Sequence, residues 1–127
     1  MQCSMDGMSV FSFAITRPGQ SIKALCEHFN FELTAIDYLL IHQANKMIDE
    51  KIRRKLKLAP EQVPYSMTYY GNTSSCTIPV TMVSQIREQL HEGEKELVMC
   101  GFGSGLSWGA AHVYTDSIIC LPMIEVE

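Results

Sequence analysis

The sequence predicts an α/β protein, with elements in the order βαβαβαββ around a mixed five-stranded sheet that carries helices on both faces. Three observations carry this reading. Short apolar runs at residues 10–15, 36–41 and 96–102 alternate with segments whose apolar residues recur at helical spacing. Only Gly103-Ser104-Gly105 separates the run at 96–102 from another at 106–114, which makes the last two strands an antiparallel hairpin. No charged residue occurs from Gln62 through Ile86, so that stretch belongs in the interior. Alternating strands and helices imply right-handed crossovers and a mainly parallel sheet, with the last strand antiparallel at or near an edge.

Each element has its own signal. Residues 10–15 (Val-Phe-Ser-Phe-Ala-Ile) read as a strand, and Pro18-Gly19 closes it. From Ser21, the positions Ile22, Leu25, Cys26 and Phe29 lie on one face of an amphipathic helix. Residues 36–41 are almost continuously apolar, as in a strand covered on both faces. A second helix follows His42-Gln43-Ala44-Asn45 and runs to about Leu56, with a thin stripe of Ile48, Ile52 and Leu56 on an otherwise charged surface. Residues 66–69 are a short extended piece. After Gly71, the residues Asn72, Thr73 and Ser74 are candidate caps for a central helix from Ser75 to about Leu90, and Pro79 fits only near its start. Ile78, Val80, Met82, Val83 and Ile86 do not keep to one face, so this helix is expected to be buried on all sides.

The 127 residues suit one domain, 1–127, with a core over about 5–114 and a tail, 115–127, of no evident role. Net charge is −4, yet residues 46–57 hold six Lys and Arg against Asp49 and Glu50, so the rest of the chain is strongly acidic. A basic patch on an acidic protein points to a local anionic partner and away from nucleic acid. The central stretch is too polar and interrupted to span a membrane. Five cysteines at wide spacings form no metal motif, and neither they nor the four histidines supply a ligand set. They read as reduced, mostly buried thiols in a cytoplasmic protein.

In sheets of this kind function gathers at the carboxyl ends of strands. His42, Asn72 and the loop 103–105 each follow an expected strand, so the topology brings them to one rim. A neutral His42 imidazole and the Asn72 amide can both donate to one oxygen, stabilising an enolate or oxyanion. Each also has a plainer reading, His42 as a polar turn residue and Asn72 as a helix cap. The glycine loop offers backbone N–H groups but equally suits a tight hairpin. Cys76 sits where a helix N-terminus would lower a thiol pKa, but its apolar surroundings favour a small core residue facing the sheet. His28, His91 and His112, on a helix, in a loop and on a strand, are read as structural.

Together, Ile41-His42-Gln43-Ala44-Asn45, Gly71-Asn72-Thr73-Ser74 and Gly101-Phe102-Gly103-Ser104-Gly105-Leu106-Ser107-Trp108-Gly109-Ala110 resemble the C-terminal half of 3-oxoacyl-[acyl-carrier-protein] synthase III, a family of the thiolase-like superfamily. The likeness runs from about Met5 to Tyr114. It implies a thiolase-like half-fold and an acyltransferase of fatty-acid synthesis that condenses an acyl-thioester with malonyl-acyl carrier protein. His42 and Asn72 then stabilise the enolate left by decarboxylation, and the Ser104 backbone N–H joins an oxyanion hole. Asn45, Lys51, Arg53, Arg54 and Lys55 belong to the face that meets substrate or acyl carrier protein, although Met47 stands where a basic residue is common.

The resemblance further implies substrates carried on coenzyme A or phosphopantetheine, with no metal and no resident cofactor. It places the acyl-accepting cysteine in the family's other half, and no residue here matches it. The expected partners are acyl carrier protein, acyl-coenzyme A, and either an N-terminal half or a second copy docked on the helix at 75–90. A competing reading is a non-catalytic module that binds carrier protein, or an inactive fragment.

Overall fold

The computed structural model describes residues 6–124 and residue 126; Cys3, counted among the thiols, and Met5, where the resemblance begins, lie outside the described residues. The chain starts with a helix where a strand was expected: α1 spans Gly7–Ala14. Asp6 is its N-cap, accepting from the N–H groups of Met8 and Ser9 at 3.1 and 3.3 Å, and this nucleates the turn that the apolar run alone did not reveal. Helix α2, Arg17–Phe29, begins with Pro18 in its first turn and ends at Asn30 in the left-handed conformation. Pro18-Gly19 therefore opens a helix and does not close a strand. Ile22 is buried, whereas Phe29, at the end of the predicted stripe, is exposed.

Strand β1 is Tyr38–Ile41, and α3, Lys46–Lys55, follows with Asn45 as its cap. The expected extended piece at 66–69 is instead one helical turn, α4, Met67–Tyr70, held by the N–H groups of Tyr69 and Tyr70 on the Ser66 carbonyl. The central helix is broken at Ile86 into α5, Thr77–Gln85, and α6, Arg87–His91. Strands β2, Lys95–Gly103, and β3, Ser107–Thr115, form the predicted hairpin.

Two of the five expected strands are thus helical, and the sheet has three strands in the order β1-β2-β3. β1 lies parallel to β2, with Ile41 opposite Cys100, and β3 runs antiparallel to β2 at the edge. Alternation along β1 sorts its side chains onto two faces. Leu39 and Ile41 join Val98, Cys100 and Phe102 beneath α2 and α3, with Ile22, Ile52 and Leu56. Leu40 joins Leu97, Ile86 and Leu90 beneath α5 and α6. Helices therefore cover both faces, as expected. Each fully buried Leu or Ile contributes roughly 1.5–3 kcal/mol, which makes these two layers the main source of stability.

Helix α5 is not buried on all sides. Its fully buried residues are Thr77 and Thr81, while Ile78, Val80, Met82 and Val83 are only half-buried. A single sheet beneath the helix accounts for this: the inner face is taken up by hydroxyl groups, and the aliphatic residues lie towards its flanks. A charge placed among those aliphatic residues loses burial and repels any cover. Met82→Glu is expected to cost about 2 kcal/mol, the low end of large core losses, and to reduce soluble yield, whereas Lys55→Glu should do neither. Chemical denaturation of both variants checks this.

Candidate functional site

Because β1 and β2 are parallel, their carboxyl ends meet at one rim. His42 leaves the end of β1 with its N–H on the Cys100 carbonyl at 2.8 Å, which continues the ladder by one residue. Its ring stands edge-on to Phe102 of β2, with centroids 5.2 Å apart and planes at 89°. Nδ1 lies 2.8 Å from Thr77 Oγ1, at the first residue of α5. One imidazole therefore ties together β1, β2 and the turn before α5. Burial pushes the His42 pKa down, partly offset by the Ser74 backbone, which favours the neutral ring.

Asn72 lies in that same turn and is exposed. Gly71 precedes it at φ 64°, a conformation that glycine adopts without strain. Asn72 Oδ1 accepts from the Ser74 N–H at 2.9 Å. Only the amide oxygen is used, so the NH2 group remains available as a donor. Asn72 therefore closes a local turn without being the cap of α5, for which Cys76 holds the cap position. Cys76 is exposed, which corrects the reading of a core residue facing the sheet: a short helical turn at Ser74–Cys76 swings it outward. Ser104 forms the hairpin tip beyond Phe102, exposed, with its carbonyl accepting from Ser107 Oγ at 2.7 Å.

Behind His42 runs a polar network that the sequence did not disclose. Gln43, fully buried, donates to the Ile41 carbonyl at 2.9 Å and accepts from the Ser66 N–H at 3.1 Å. Ser66 Oγ lies 2.7 Å from Thr81 Oγ1, which donates to the Thr77 carbonyl at 2.8 Å. These bonds fix the start of α5 against the end of β1. The hydroxyls of Thr77 and Thr81, four apart, were the available signal, hidden in an apolar run.

The basic helix divides in two. Arg53 turns inward: its guanidinium takes both Glu50 oxygens at 3.0 and 2.9 Å and the Leu58 carbonyl at 2.7 Å. Arg53, Tyr65 and Arg54 together hold the Glu50 carboxyl down at about 2. Lys51 lies 4.9 Å from the Phe11 ring centre, and Arg54 and Lys55 are exposed. Asp49, counted above as part of the charged surface, is fully buried, and neither carboxylate oxygen has a partner among the described residues. Its pKa rises to about 8, chiefly by desolvation and secondarily by Glu50. Asn45 is exposed and spends its Oδ1 on the Met47 N–H at 2.8 Å.

Two of the other histidines have hydrogen-bond partners, whereas His28 is exposed beside Phe29. His112 Nε2 lies 2.7 Å from Glu96 Oε1, and His91 Nε2, on α6 and not in a loop, lies 3.0 Å from the Cys120 N. The described residues contain no cluster of three or more potential metal ligands, and no helix among them is long and apolar enough to cross a membrane.

A two-sided α/β layer with its polar groups at the shared end of two parallel strands also occurs in solved structures of 3-oxoacyl-(acyl-carrier protein) synthases. A 3-oxoacyl-(acyl-carrier protein) synthase from Burkholderia xenovorans superposes with a TM-score of 0.90 at 30% identity, covering 96% of this chain and 35% of that one. Synthase III from Pseudomonas aeruginosa gives 0.80 at 28% identity, covering 94% and 37%. Residues 26–115 match the family model for the C terminal of 3-oxoacyl-[acyl-carrier-protein (ACP)] synthase III, and the chain belongs to that family. Beta-ketoacyl-[acyl-carrier-protein] synthase III of Streptococcus gordonii is 41% identical over 112 residues, 87% of this chain and 35% of the relative. The chain spans about a third of the length of such relatives.

Proposed function

We propose that this chain supplies the enolate-stabilising half of a 3-oxoacyl-[acyl-carrier-protein] synthase III. The observation that supports the proposal is His42 at the carboxyl end of β1, edge-on to Phe102 of β2 and 2.8 Å from Thr77, which follows the Asn72 turn. Malonyl thioester binds with its carbonyl oxygen towards His42 and the Asn72 amide. The bond to the carboxylate breaks, carbon dioxide leaves, and its electron pair becomes an enolate whose oxygen takes both hydrogen bonds. The enolate carbon then attacks an acyl-thioester, and the tetrahedral oxyanion is met by the Ser104 N–H before thiolate leaves. The acyl-carrying cysteine comes from outside these 127 residues. Cys76, exposed as it is, does not take that role, since the family's second half uses no cysteine there.

The test is a hybrid in which this chain replaces the matching C-terminal segment of the Streptococcus gordonii relative. A folded hybrid that condenses acyl-coenzyme A with malonyl-acyl carrier protein supports the reading. A folded hybrid that binds carrier protein without condensing favours the non-catalytic module.

Carrier binding belongs to the outer face of α3. Lys46, Lys51, Arg54 and Lys55 are the exposed cations there, with Asn45 at the helix start; Arg53, and more loosely Arg54 at 3.4 Å, pair with Glu50. An N-terminal half, or a second copy, covers the half-buried aliphatic side of α5. The double reversal Lys51→Glu with Lys55→Glu should weaken carrier binding about tenfold or more at low salt and flatten its salt dependence. Arg53→Glu should instead lower stability, because it breaks the Glu50 pair. Titration at two salt concentrations separates the outcomes.

A further inference from the structure

We infer that Thr77 is a positioning residue that sets the tautomer of His42: its hydroxyl donates to Nδ1 and thereby keeps the ring proton on Nε2, facing the rim. Thr77 is 1% exposed, so its single hydroxyl proton goes to a protein acceptor. Two are within reach. His42 Nδ1 is at 2.8 Å and the Ser74 carbonyl at 3.1 Å. The Ser74 carbonyl already receives the backbone N–H of Thr77. Thr77 Oγ1 is the side-chain partner of Nδ1 among the described residues, and at 2.8 Å against 3.1 Å it is the shorter of the two contacts that the hydroxyl makes. A hydroxyl that donates there leaves Nδ1 without a proton, and in a neutral imidazole the proton must then sit on Nε2.

The surroundings hold this arrangement in place. Phe102 stands edge-on to the ring, and Thr81 Oγ1 holds the Thr77 carbonyl at 2.8 Å, so neither partner rotates freely. The opposite tautomer, with Nδ1–H donating to Thr77 and Thr77 donating to Ser74, would present a bare Nε2 lone pair to the rim. That lone pair would repel an enolate oxygen. The use made of the Nε2 proton rests on the reading of His42 as an oxyanion donor; the tautomer itself does not.

Imidazole nitrogen NMR on the full 127-residue chain at neutral pH tests the inference directly. The expected result is an unprotonated Nδ1 and a protonated Nε2 for His42. In Thr77→Val the hydroxyl donor is gone while the Ser74 backbone still favours a protonated ring nitrogen, so the ring proton should move at least partly to Nδ1; Thr77→Ser should restore the parent pattern. Thr77→Ala, which removes the hydroxyl without adding bulk, serves if valine impairs folding. In the hybrid synthase, Thr77→Val should lower kcat about tenfold or more with little change in KM, and serine should recover it. A parent chain with its proton on Nδ1, or an Nε2 proton indifferent to loss of the hydroxyl, overturns the inference. The expected tautomer in an inactive hybrid overturns only the catalytic reading.

Discussion

His42→Ala in the hybrid synthase is expected to lower malonyl decarboxylation and condensation by about 10²–10³-fold, mostly in kcat, the usual effect of removing one oxyanion donor. The ring contributes one charge-stabilising hydrogen bond and also keys β1 to α5 through Thr77, so some loss of stability accompanies the loss of rate. Asn72→Asp separates structure from chemistry more cleanly. The Ser74 N–H needs only an oxygen at that place, and aspartate keeps one. The rim, however, loses an N–H donor and gains a negative charge beside the developing enolate. Asn72→Asp should therefore fold like the parent and lose activity by about 10²-fold or more, with Asn72→Ala less severe. A hybrid bearing Asn72→Asp that keeps a third of the parent kcat would show that Asn72 is only a turn residue.

What the sequence disclosed follows from which interactions are local. The hairpin, β1, α2 and α3 are legible because period, cap and turn residues lie within a few positions of each other. The apolar run at 10–15 was misleading: Asp6, whose carboxylate starts α1, lies just before it, and a short apolar run alone does not distinguish strand from helix. The break at Ile86 was not legible. There φ is −130°, and the residue drops into the Leu40, Leu90 and Leu97 cluster that only the folded sheet creates. At the site, His42 and the glycine hairpin could be placed on one rim from strand order alone. Thr77 could not, since its contact spans 35 positions and its hydroxyl sits among aliphatic neighbours. The burial of Asp49 is hidden for the converse reason: it lies among six cations in sequence, but its helix position faces inward with Ile52.

Asp49 should make the fold less stable as pH rises. Its carboxyl is fully buried without a hydrogen-bond partner among the described residues, and its pKa moves from 3.8 to about 8. A folded-state pKa above the unfolded one means that the folded protein binds the extra proton between those two values. Stability from this group is therefore highest below about pH 4, falls as pH rises, and levels off above about pH 8. By linkage the total loss approaches at most about 6 kcal/mol, at roughly 1.4 kcal/mol per unit. Asp49→Asn keeps the shape and cannot ionise, so it should be more stable than the parent by about 2 kcal/mol or more at pH 8, with the gain shrinking towards pH 4. Glu50, held low by Arg53, contributes in the opposite direction, but only below about pH 4.5, so the two are resolved in pH. Denaturant midpoints of parent and Asp49→Asn at pH 5, 6.5 and 8 decide the matter. Equal differences at all three would mean that the carboxyl is ionised in the fold and has found a partner, and a larger gain at pH 5 would reverse the sign of the argument.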